Sequence, residues 1–176
     1  FMDKFVLTEV QIKPLLFSAA IVKRYDLTTL PLTFTYEGPN ISMISKNFKK
    51  IVSSAFEIKE EDIKESFFNL TRGEKEKMSA EYKLNKKIDS FCYYRFEIRI
   101  SYEADINDNG KFETSIKGSL YFEVPQETSF QRSIFYHFFF SLYWSFYYSK
   151  IVEKYVEEGK GYLTKFINLL KAQAKI

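Results

Sequence analysis

One cysteine, one histidine, four prolines and six glycines are spread over 176 residues. A lone cysteine excludes an internal disulfide, and a reducing, cytoplasmic setting is expected. A lone histidine leaves an imidazole-rich metal site without ligands. No phosphate loop, dinucleotide fingerprint, nucleophile elbow or zinc spacing is present. Catalytic residues, metal and cofactor are therefore all expected to be none, and a non-enzyme is the expected reading. So little Gly and Pro leaves no flexible linker, and the length suits a single α+β domain over 1–176. A formal charge of +3 is too weak a field to suggest a nucleic-acid partner, and none is expected. Residues 1–13 lack a basic start followed by an apolar stretch, so no secretory signal is expected.

Aromatic side chains are abundant instead, with 19 Phe and 13 Tyr. They supply either a large buried area or a large adhesive surface. Part of that content alternates with polar residues. In 92–104 the even positions are Cys92, Tyr94, Phe96, Ile98, Ile100, Tyr102 and Ala104, and the odd ones include Arg95, Glu97 and Arg99. The same parity holds in 111–124 through Phe112, Ile116, Leu120, Phe122 and Val124, and in 78–88 through Met78, Ala80, Tyr82, Leu84 and Ile88. Period two over three consecutive stretches predicts an antiparallel meander with one buried face.

The stretch DINDNG, residues 105–110, joins the second and third strands and matches the first half of a calcium-binding EF-hand loop. That loop needs a bidentate Glu at its twelfth position, where this chain has Ile116, and it needs helical flanks. A turn is the better reading. Facing residues must share a face, which excludes a two-residue Asn109-Gly110 turn. A three-residue loop, 108–110, with a left-handed Gly110 satisfies parity. It pairs Phe96 with Phe122, Ile98 with Leu120, Ile100 with Gly118 and Arg95 with Glu123. A three-residue link at 89–91 sets Lys83 opposite Glu97 and Glu81 opposite Arg99. The acidic residues on this outer face also argue against an RNA-binding sheet.

Residues 41–56 carry Ile44, Phe48, Ile51, Val52 and Ala55 on one helical stripe, with Asn40 as the expected cap. Residues 60–70 predict a second short helix through Ile63, Phe67 and Leu70. Residues 32–37 read as a strand, 4–12 alternate weakly and read as another, and the short apolar run 14–22 suits a strand or a helix, the strand being preferred.

At the C-terminus, Thr128 and Gln131 form a capping-box start. Seventeen residues without a formal charge follow, 133–149, SIFYHFFFSLYWSFYYS. Ser133, His137, Ser141, Ser145 and Ser149 recur every fourth residue and form one slowly twisting ridge of the helix. The helix is expected to run through Val156, break near Gly159 and Gly161, and resume at Leu163. The ridge or its aromatics can pack on the sheet, form a subunit interface, or enter a membrane, for which seventeen residues is short.

The element order predicts an α+β fold, with an antiparallel sheet covered on one face by two short helices and a long aromatic helix. It is similar to the helix-grip arrangement of START-type lipid-binding domains, in which a curved sheet wraps a long C-terminal helix around an apolar cavity. That topology implies a non-enzymatic module holding an apolar or aromatic small molecule, lined by Tyr94, Phe96, Phe122, His137, Ser141 and Tyr148. The alternatives are an interaction protein that uses the aromatic helix for a homodimer or a docked partner, and a membrane-associated protein using residues 133–149. Cys92 falls on the apolar face of its strand and reads as an inert thiol; no motif supports pairing it with His137.

Overall fold

The computed structural model describes residues 20–174. Six strands form one antiparallel sheet: β1 (Ala20–Asp26), β2 (Leu32–Gly38), β3 (Lys64–Arg72), β4 (Glu76–Lys87), β5 (Cys92–Ala104) and β6 (Gly110–Pro125). The order is β1-β6-β5-β4-β3, and β2 also pairs with β6, so β1 and β2 lie end to end along that longest strand. Helix α1 (Ile41–Phe56) and a C-terminal helical rod cover one face. The rod comprises α2 (Ile134–Tyr143), a wide π turn (Trp144–Tyr148) and α3 (Ser149–Gln173).

The alternating patterns place their even residues in this core. Tyr94, Phe96, Ile98, Phe112, Ile116 and Leu120 are all fully enclosed. They meet Phe48 and Phe56 of α1 and Leu163, Phe166 and Leu170 of α3. Rings interlock across the layers: Phe56 sits 4.4 Å from Phe96 and 5.6 Å from Phe166, centroid to centroid. The odd residues face outward. Glu81 and Arg99 pair at 2.8 Å, and Lys83 lies opposite Glu97, as the register of β4 on β5 requires.

Between β5 and β6 the register differs from the expected one. Phe96 lies opposite Gly118, Ile98 opposite Ile116, Ile100 opposite Thr114 and Arg95 opposite Ser119. The loop holds five residues, 105–109, rather than three. The Asp105 carboxylate is the reason: it accepts from the backbone N–H of Asn107 at 2.8 Å and of Asn109 at 2.9 Å, closing a wider turn. The left-handed residue is Asp108 (φ 61°), not Gly110. Gly110 opens β6 opposite Ala104, where a Cβ would collide with the Glu103 and Ala104 backbone. Parity survives because the slide is by an even number. Arg95 accordingly stacks over Tyr121 at 4.7 Å, and Glu123 accepts from the Tyr93 hydroxyl.

Asp108 has a second task. Its carboxylate accepts from the Ser42 N–H and Ser42 hydroxyl, both at 2.8 Å, so it caps α1 from across the molecule. Asn40 occupies the N-cap position but its side chain makes no capping bond. The EF-hand-like residues thus spend their carboxylates on backbone groups. Among the described residues no group of three or more His, Cys, Asp and Glu side chains could hold a metal ion.

Two helix predictions give way. Residues 60–70 form a single 3-10 turn (Glu60–Asp62) and then β3, not a helix. An eleven-residue helix is marginal by itself, whereas the open edge of β4 satisfies the backbone of the Phe67-Phe68 segment directly. The rod does not break at Gly159 or Gly161; α3 runs through both. Gly159 is a point of close approach. A Cβ there would lie 2.8 Å from both δ-methyls of Leu27 and 2.9 Å from the Tyr94 ring. Leu27 leaves the β1–β2 break and inserts between Gly159 and Gly118 of the sheet. The predicted strands at 4–12 and at 14–19 lie outside the described residues; 20–22 belong to β1.

Candidate functional site

The capping box forms, but it closes a turn ahead of the helix. Gln131 N–H donates to Thr128 Oγ1 at 3.2 Å, and Gln131 Oε1 accepts from the Thr128 and Glu127 N–H groups. The helix then starts at Ile134, with Ser133 accepting from the Tyr136 N–H. From here α2 and the π turn are fixed to the body by few contacts. Trp144 Nε1–H donates to the Tyr25 hydroxyl at 2.8 Å. Its ring meets Phe122 edge-on at 4.9 Å and stacks on Tyr148 at 4.7 Å. His137 hydrogen-bonds Gln126 at 3.1 Å.

The inward residues are Phe140, Trp144, Tyr148, Val152 and Val156, one every fourth position. At 100° per residue that series drifts about 40° per step and would leave the sheet. The π turn absorbs the drift: its i→i+5 bonding widens one turn and returns Tyr148 beneath Trp144. The serine series has the same period but is displaced by one residue. Ser141, Ser145 and Ser149 are exposed, so the ridge does not contact the sheet. The sequence holds the signal that separates the two series. The serine line runs on into Glu153 and Glu157, and the aromatic line runs on into Val152 and Val156.

Of the six residues expected around a ligand, the structure brings Phe122 and Tyr148 together, with ring centroids 5.8 Å apart, and Tyr94 and Phe96 together at 5.8 Å. Tyr94, Phe96 and Phe122 are enclosed, and rings of α1 and α3 pack directly on them. Tyr94 donates its hydroxyl to the Tyr155 carbonyl at 2.7 Å. His137 is half-buried near Gln126, and Ser141 points to solvent, away from the other four. Burial pushes the Cys92 thiol up to about 12, which leaves it protonated and unreactive.

Lys23 projects from β1 toward the underside of the rod. Its ammonium lies 4.3 Å from the Trp144 ring centroid and 5.6 Å from that of Phe140. Burial pushes its pKa down to about 8, while the ring faces favour the cation.

The outward side of α2, continued by the π turn, is the most distinctive surface. Ile134, Phe135, Phe138, Phe139, Tyr143, Phe146 and Tyr147 are each more than half exposed, and Phe146 reaches 81%. Leu142 lies among them at 40%. Phe135, Phe139, Leu142 and Phe146 share the crest. Tyr143 and Tyr147 stack on one shoulder at 5.3 Å, and Ser141 and Ser145 form the other. No formal charge interrupts residues 133–149; Arg132 and Lys150 bracket them. Among the described residues no helix is long and apolar enough to cross a membrane. The aromatic content of these rings is legible in the sequence, and a subunit interface is one of its readings, but which of the two series faces inward is not settled by their shared period.

No protein-family model matches the chain, and no curated protein matches it. Two solved structures align weakly with part of the chain. A delta-endotoxin aligns with a TM-score of 0.34 and 11% identity, covering 60% of this chain and 62% of that one. The activated Cyt2Ba monomer from Bacillus thuringiensis subsp. israelensis aligns with a TM-score of 0.33 and 9% identity, covering 60% and 74%. The chain therefore spans about three fifths of the delta-endotoxin chain, and likeness at this level carries no functional inference.

Proposed function

We propose that this chain is a non-enzymatic interaction module that docks a protein partner through the outward face of α2. One observation carries the reading: a continuous, charge-free aromatic face stands exposed along α2 and the π turn, with Trp144 anchoring its C-terminal end. Interface centres are enriched in Phe, Tyr and Trp and depleted of charge, with charged residues at the rim. Residues 133–149, bracketed by Arg132 and Lys150, follow that pattern. Side chains of this type bury about 150–250 Å² each when covered. Exposed faces of this kind mark interaction sites in folded proteins. A cytoplasmic location belongs to the reading, since the lone thiol needs no oxidising compartment.

Hydroxyl-radical footprinting in the cells that make the protein tests the proposal. Phe135, Phe139 and Phe146 should be protected there and reactive in dilute purified protein. Equal reactivity in both settings would overturn the reading. The alternative, an apolar ligand held between sheet and helix, requires the packed rings of Tyr94, Phe96 and Phe122 to part. Native mass spectrometry of freshly purified protein would show that ligand as added mass.

A further inference from the structure

Resting on the docking role proposed for α2, we infer that the partner is a second copy of this chain, joined about a two-fold axis through the outward face of α2. Area is the first argument. The exposed side chains of α2 and the π turn present on the order of 1,000 Å² of aromatic and aliphatic surface, and a standard interface needs about 800 Å² from each partner. The face is large enough to form a stable dimer without help from any other element.

Self-complementarity is the second argument. A two-fold contact sets a surface against itself, so a surface with charges near its centre opposes like with like. This face has no charge from Ser133 to Ser149. Its relief also matches itself. Phe138, Leu142 and Phe146 stand up, while Ser141 and Ser145 leave a shallow strip beside them. Rings of one copy can lie over the serine strip of the other. The helix is fixed in advance by Trp144 on Tyr25 and His137 on Gln126, so little order has to be gained on association.

Charge disfavours a lipid surface as the occupant. Docking to anionic lipid draws on clusters of about four to eight basic residues. Here Arg132 and Lys150 bracket the face, and Lys154 close by in the chain is balanced by Glu127 and Glu153, short of such a cluster.

Size-exclusion chromatography with light scattering, run across a dilution series, tests the inference. The wild-type chain should show twice its 20.9 kDa mass at high concentration and return to one copy on dilution. The variant Phe138→Ser/Phe146→Ser should stay at one copy throughout. Both rings are exposed in the single chain, so its circular dichroism and dilute-state melting temperature should match wild type. A wild-type chain that is one copy at every concentration overturns the inference, and so does a dimer that survives the double substitution. Flotation with phosphatidylcholine–phosphatidylserine vesicles is run alongside, and a one-copy chain that floats overturns it in favour of lipid. Protection of α2 in cells combined with a one-copy purified chain would sink only the second-copy inference and leave the docking role standing.

Discussion

Gly159 and Gly161 lie two residues apart in α3, and the structure predicts opposite outcomes for the same substitution. Replacing a helix-interior glycine by alanine ordinarily stabilises by about 1 kcal/mol. Gly161 has nothing within 4 Å of a built Cβ, so Gly161→Ala should realise that gain. At Gly159 the new methyl meets Leu27 Cδ1 and Cδ2 at 2.8 Å and Tyr94 Cε1 at 2.9 Å. Neither neighbour can step aside. Leu27 already abuts Gly118 on its other side, and Tyr94 is tied by its hydroxyl to the Tyr155 carbonyl. Overpacking of this kind costs about 1–3 kcal/mol, which outweighs the propensity gain. Gly159→Ala should therefore be less stable than wild type by about 1 kcal/mol, and less stable than Gly161→Ala by about 2 kcal/mol. Leu27→Ala should cost about 2–5 kcal/mol alone. Combining it with Gly159→Ala should recover part of that loss, because the methyl enters the space the leucine leaves. Urea denaturation at constant m, run as a double-mutant cycle, reads these differences directly. If Gly159→Ala stabilises as much as Gly161→Ala, the close approach of α3 to Leu27 is wrong. If Gly161→Ala gives no gain, α3 is not continuous there.

Three further outcomes follow from particular contacts. Asp108→Ala removes the cap of α1 and places alanine at φ 61°, and should cost about 1–2 kcal/mol; Asp108→Asn keeps an acceptor and tolerates that backbone, and should cost less in the same thermal melt. Lys23 holds fewer protons folded than unfolded between about 8 and its ordinary 10.5, so its burden on stability is full below that window and fades as pH rises through it. Lys23→Met should thus be more stable than wild type at neutral pH, with the gap closing toward pH 10.5; a gap that widens would contradict the buried position of this lysine. Ser145→Leu should change dilute-state stability by no more than about 0.5 kcal/mol, the usual range for an exposed site; a loss of several times that would show that the serine ridge is buried after all.

Hydrophobic alternation showed which residues of β4, β5 and β6 face the core, because a period of two leaves no ambiguity about face. It could not show loop length, since three- and five-residue loops preserve the same parity. The decision lay in the Asp105 carboxylate, whose reach to two backbone N–H groups has no periodic signature. Residues 60–70 differ from their sequence pattern for a related reason. Ile63, Phe67 and Leu70 fit a helical stripe, and only the vacant edge of β4, a long-range fact, makes a strand the better outcome. Gly159 and Gly161 look like breakers because a glycine's packing partner is invisible in sequence; Leu27 lies 132 positions from Gly159. The aromatic helix was legible as a helix and as an uncharged segment. Its outward face was not, because two series of period four run side by side and only the continuation into Val152 and Val156 tells them apart.

The central claim is that the outward rings of α2 and the π turn are wet in the single chain and dry when it docks. Fluorine NMR of para-fluorophenylalanine, compared between light and heavy water, measures that contact ring by ring. A label at Phe146 should show a full solvent shift in dilute protein and lose it as docking proceeds, whereas a label at Phe96 should show none in either state. A Phe146 label that is already dry in dilute single chains, or that stays wet under every condition in which the protein is at work, would contradict the account.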